Sequence, residues 1–99
     1  RQILSIPYTT EINDYPLFMR HFHSPDTVFE IMKGQFDTLY REGERSGRIM
    51  NMGFHPHVIG QPYRISTLDR ILTYMQSREK VWFATREEIA DWYWAHYLA

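Results

Sequence analysis

The run Gly53-Phe54-His55-Pro56-His57 places two histidines at the end of a short apolar stretch. In an extended chain residues i and i+2 point to the same side, so the two imidazoles are expected to share one face. Such a pair can ligate a metal. Alternatively, one ring can act as a general acid near neutral pH, with a carboxylate fixing its tautomer. A purely structural, hydrogen-bonded role stands beside both. The second pair, His21 and His23, lies just before a helix-start signal, where the positive helix end disfavours an imidazolium; these two read as surface or capping residues. Asn13-Asp14 sits in a long connection from which a carboxylate could reach the strand-end histidine, although Asn and Asp are also common turn formers. In Gly60-Gln61-Pro62-Tyr63-Arg64, the Arg64 fork could hold a substrate carboxylate or carbonyl, or the segment could simply turn the chain. The aromatics Trp82, Phe83, Trp92, Tyr93 and Trp94 could form a carbohydrate-stacking platform, but at strand and helix spacing they read as core.

Six elements are expected to position these groups. Gln2-Ile3-Leu4-Ser5-Ile6-Pro7-Tyr8 reads as a first strand, entered at Arg1 without Met, as if in mid-fold. Ser24-Pro25-Asp26 combines a capping hydroxyl, a proline suited to the first helical turn and an acid near the positive helix end. Val28, Met32, Phe36 and Leu39 then keep one helical face until Glu42-Gly43. Arg48-Ile49-Met50-Asn51-Met52-Gly53-Phe54 has the pattern of a strand buried on both faces. Ser66-Thr67-Leu68-Asp69 opens a second helix carrying Ile71, Leu72 and Met75, and Val81-Trp82-Phe83-Ala84 reads as a third strand. Thr85-Arg86-Glu87-Glu88 starts a last helix whose Ile89, Ala90, Trp92, Tyr93, Trp94 and Tyr97 leave it apolar nearly all round. The order βαβαβα defines an α/β chain with parallel pairing and functional groups at the C-terminal ends of the strands. The stretch from Thr9 to Phe22 is the long irregular connection. Three parallel strands alone expose two edges, so the chain is expected to be completed by a further segment, swapped or paired.

Composition narrows the function classes. Hydrophobic residues are 43% and charged residues 23%, ordinary globular values despite a mean hydropathy of -0.49, so disorder is excluded. The formal net charge is -1, with 11 Lys+Arg interspersed among 12 Asp+Glu. That leaves no basic face for nucleic acid or an anionic membrane surface. With no cysteine there is neither a disulfide framework nor a thiolate metal site, which fits a reducing, cytoplasmic compartment without requiring one. No apolar run is long enough to span a membrane.

Beyond these readings, Phe54-His55-Pro56-His57-Val58-Ile59-Gly60-Gln61-Pro62-Tyr63-Arg64, followed by Val81-Trp82-Phe83-Ala84-Thr85-Arg86-Glu87-Glu88-Ile89-Ala90, resembles the closing motifs of the polysaccharide deacetylase superfamily. Ile6-Pro7-Tyr8-Thr9-Thr10-Glu11-Ile12-Asn13-Asp14 resembles the branch of deacetylase-type allantoinases and cyclic imide hydrolases, so the likeness covers nearly the whole chain. It implies that residues 1–99 are the C-terminal part of one catalytic domain, a deformed (β/α) barrel, acting on a non-peptide C–N bond. His55 matches the histidine taken to be the general acid that protonates the leaving amine. Asp14 falls near the family's acidic residue that tunes it, although the local pattern differs from that of sugar deacetylases. Arg64, Gly60 and Tyr8 are then expected against the substrate. The family's catalytic-base Asp, its Asp-His-His triad for a divalent metal such as zinc and its Arg motif belong to an N-terminal half that no segment here matches. The expected partners are therefore a complementary N-terminal chain or segment and a small amide substrate.

Overall fold

The computed structural model describes residues 2–98. It contains a π-helical turn at Tyr15–Arg20, helix α1 at Pro25–Glu42, the single-turn helix α2 at Pro56–Ile59, helix α3 at Ile65–Gln76, and helix α4 at Arg86–Tyr93, which continues as a second π-helical stretch over Trp94–Leu98. The first long helix forms where its cap residues require it. Ser24 is extended and its hydroxyl accepts from the Thr27 backbone N–H at 3.2 Å, with Pro25 in the first turn. The Gly43 N–H closes the other end on the Leu39 carbonyl at 2.8 Å.

Helix α1 packs on α3. Val28, Met32 and Phe36 face Ile71 and Met75, and Val58 and Ile59 of α2 join Ile12, Leu17 and Phe18 in the same buried cluster. Tyr74 of α3 sits edge-on to Phe29 and Phe36, and its hydroxyl donates to Asp37. That bond, reinforced by Lys33, holds the exposed Asp37 carboxyl below its ordinary range. Helix α3 begins one residue before Ser66 and is capped by Arg64, with no side-chain bond to its first turn. Thr67, one of the residues expected at its cap, lies buried within the helix instead.

The three expected strands do not form a sheet. Among the described residues the only β pairing is a single parallel bridge between Asn13 and Gly53. A strand exists only through the neighbour that takes its backbone N–H and C=O groups, and here side chains take that place. The carbonyls of Ile6 and Pro7 accept from the Arg86 guanidinium at 3.3 and 3.4 Å, and the Thr9 N–H donates to the Asn51 side chain at 3.4 Å. The connection after Tyr8 is also more regular than expected, since the π-helical turn buries Leu17 and Phe18.

The aromatic positions read as core are on the surface. Trp82, Phe83, Trp92, Tyr93 and Trp94 are between 39% and 56% exposed, and no residue of α4 is buried. The molecule measures 46 × 30 × 18 Å. Since a helix with its side chains is about 10 Å across, the short dimension holds two layers and leaves none to cover α4.

Candidate active site

The site begins with the Asn13–Gly53 rung. The Gly53 N–H donates to the Ile12 carbonyl at 3.1 Å and the Asp14 N–H donates to the Gly53 carbonyl at 3.0 Å. This fixes Asp14 beside the segment that carries His55. Asp14 stands at the start of the π-helical turn but makes no capping bond to it. Its fully buried carboxylate reaches across instead. Oδ2 accepts from the backbone N–H groups of His55 at 2.8 Å and Ile59 at 3.1 Å, and Oδ1 lies 2.7 Å from His55 Nδ1. One carboxylate therefore satisfies the first turn of α2 and orients the imidazole that precedes it.

The chemistry of this contact is set by its acceptor. Beside an ionised carboxylate the proton of a neutral imidazole belongs on Nδ1, which leaves Nε2 as the ring nitrogen outside this contact. The His55 side chain is 40% exposed while that of Asp14 is 0% exposed. Tyr15 places its ring edge-on to His55, with centroids 6.1 Å apart, and tilted toward His57 at 6.5 Å.

Three of the expected site residues fall in this region. Asp14 and His55 touch directly, and the Tyr8 hydroxyl is joined to them through the Asn13 side-chain amide, which donates to it at 3.0 Å. Arg64 and Gly60 do not share these contacts. Arg64 donates to the Tyr63 hydroxyl at 2.6 Å and to the Val58 carbonyl at 3.2 Å, and its guanidinium lies over the Phe18 ring. There it lines a cleft with Phe22, His23 and Tyr63. Gly60 ends α2, where a Cβ would lie 2.4 Å from the Pro56 carbonyl oxygen. Its glycine is required by the chain's own backbone.

His57 does not extend beside His55. The chain turns helical at Pro56, so the rings are 5.9 Å apart and inclined at 73°. His21 and His23 stack on each other at 5.8 Å. Among the described residues no group of three or more His, Cys, Asp or Glu side chains comes together. Among the described residues, then, no side-chain set complete enough for a metal centre is present.

Sequence reasoning weighed Asn13 only as a turn former and did not single out Gly53 or Tyr15. A glycine inside an apolar strand-like run is a signal of close backbone approach, and that approach is to Asn13.

With this geometry in place, comparison with known proteins shows that the chain has homologues and structural neighbours among polysaccharide deacetylases and an allantoinase. It is 36% identical over 91 residues to a Schizosaccharomyces pombe protein named as a polysaccharide deacetylase, and 28% identical over 97 residues to a peptidoglycan deacetylase of Helicobacter pylori. Its backbone superimposes on the crystal structure of the PuuE allantoinase with a TM-score of 0.88, and on that of a Pseudomonas aeruginosa protein named as a polysaccharide deacetylase with 0.87. Both are 38% identical and both matches cover 93% of this chain. The chain spans 28% and 32% of the two curated relatives and 31% of each solved chain. No family model matches it.

Proposed function

We propose that this chain supplies the general acid to an active site that hydrolyses a non-peptide C–N bond in a small linear or cyclic amide or ureide, and that another chain or segment completes that site. The observation that carries the reading is the 2.7 Å contact between His55 Nδ1 and the buried Asp14 carboxylate. In its acid form His55 holds one proton on Nδ1 against Asp14 and one on Nε2. As the tetrahedral intermediate collapses, Nε2 gives its proton to the departing nitrogen, and the neutral ring keeps its other proton on Nδ1, donated to Asp14. The likeness to an allantoinase supports the ureide substrate. The two curated relatives favour a second reading, removal of acetyl groups from a polysaccharide or peptidoglycan. A zinc ion in the completed site would be held by residues outside this chain. In the assembled protein Tyr8, which borders the Asp14–His55 pair, lies against the substrate, and the segments 2–8, 48–54 and 81–84 become strands of a deformed barrel.

The test is turnover of a cyclic ureide and of an N-acetylated sugar by the chain together with whatever co-purifies with it. We expect one substrate to be hydrolysed and His55→Ala to lose roughly 10²–10⁴-fold in kcat, the usual contribution of a general acid. Equal rates for the parent and His55→Ala would leave a non-catalytic remnant or interaction module of the same fold.

A further inference from the structure

We infer that Asn13 is a positioning residue for the Asp14–His55 pair, acting through a clamp in which its side-chain amide is held between Tyr8, Tyr15 and Gly53. The inference rests on the reading of His55 as the general acid. Asn13 is 6% exposed and both ends of its amide are engaged. Oδ1 accepts from the Tyr15 N–H at 3.1 Å, across the residue that carries the catalytic carboxylate, and Nδ2 donates to the Tyr8 hydroxyl at 3.0 Å. A Cβ built on Gly53 would lie 2.5 Å from Nδ2 and 2.8 Å from the Tyr8 oxygen. The glycine is thus what lets the amide lie flat against the backbone two residues before His55.

Two things follow from this packing. The turn closed by Asn13 Oδ1 fixes the direction in which Asp14 leaves the backbone, since Asp14 is the residue inside that turn. The same amide holds the backbone of Tyr15, whose ring stands edge-on to His55 with centroids 6.1 Å apart. The Asn13 side chain hydrogen-bonds to the Tyr8 hydroxyl and the Tyr15 N–H rather than to the imidazole or the carboxylate, so its effect is on where these groups point. A displacement of about 1 Å at such a pair is enough to cost on the order of 10²-fold in rate.

The test reads the pair directly by nuclear magnetic resonance of the His55 ring in this chain. In the parent, His55 is expected as the Nδ1–H form with a low-field proton slowed in exchange by Asp14. Asn13→Ala should lose that signal while the amide spectrum of α1 and α3 is retained. Tyr8→Phe, which removes only a hydroxyl from a half-exposed ring, should keep the signal but speed its exchange several-fold; Gly53→Ala should act like Asn13→Ala by pushing the amide away. If Asn13→Ala does not fold, the other two variants decide. An unchanged His55 signal in every folded variant overturns the inference. Because the readout needs no turnover, loss of the signal in the variants combined with no hydrolysis by the parent would reject the function and keep the clamp. In an active assembly Asn13→Ala and Gly53→Ala should lower kcat with little change in KM.

Discussion

Asp14 does two jobs with one carboxylate, and they separate on substitution. Replacing it with Ala removes the partner of His55 and also strands the buried N–H groups of His55 and Ile59. An unsatisfied buried polar group costs about 1–3 kcal/mol, so Asp14→Ala should lower unfolding free energy by on the order of 3 kcal/mol, measured by urea titration. Asp14→Asn keeps the side chain's shape and one acceptor oxygen, and should lose less stability than Asp14→Ala in the same titration.

At the scale of elements, the α1–α3 contact carries the stability and α4 carries almost none. Met32 is fully buried between the two helices, so Met32→Ala should cost roughly 2–5 kcal/mol, the range for deleting a buried Met side chain, read from the same titration. Helix α4 is held by its capping box, in which Thr85 Oγ1 accepts from the Glu88 N–H at 3.1 Å and the Thr85 N–H donates to Glu88 Oε1 at 2.7 Å. The bond from the Thr85 backbone, then its hydroxyl, holds the Glu88 carboxyl below its ordinary range. A depressed folded value means that the box is complete above the ordinary glutamate value of about 4.3 and is lost as the pH falls below it. Protection of the α4 amides, taken as exchange relative to the unstructured rate at the same pH, should therefore fall on acidification below that value while α1 and α3 stay protected, and Thr85→Ala should produce the same loss of protection at neutral pH. These helices were legible in the sequence because their caps and periodicity are local: Ser24-Pro25 and Thr85 through Glu88 mark their helices where they begin. The strands were not, since strand pairing depends on neighbours that periodicity cannot supply. The Asp14–His55 contact was legible as a position, an acid in the loop after the first segment and a histidine after the second. The Asn13 clamp was not, because nothing local distinguishes a buried amide from a turn.

The molecule as a whole presents Trp82, Phe83, Trp92, Tyr93 and Trp94 to solvent on a body two layers thick. Lone exposed apolar residues are ordinary, whereas large contiguous apolar patches are where contact surfaces form. If the proposed companion closes over them, their emission should shift to shorter wavelength on assembly, and a sizing column should show a species heavier than the 12.0 kDa chain. A lone monomer with unshifted emission would count against the proposed partner. The rung between Asn13 and Gly53 has a further consequence. Asp14 and His55 are separated by 41 residues of chain, and α1 lies within that interval. Bringing them together costs a loop-closure entropy of roughly 3 kcal/mol, which the docking of α1 on α3 must offset. A cut in the exposed Gly43–Gly47 turn would convert that closure into an encounter between two pieces, and the population of the pair would then rise and fall with concentration.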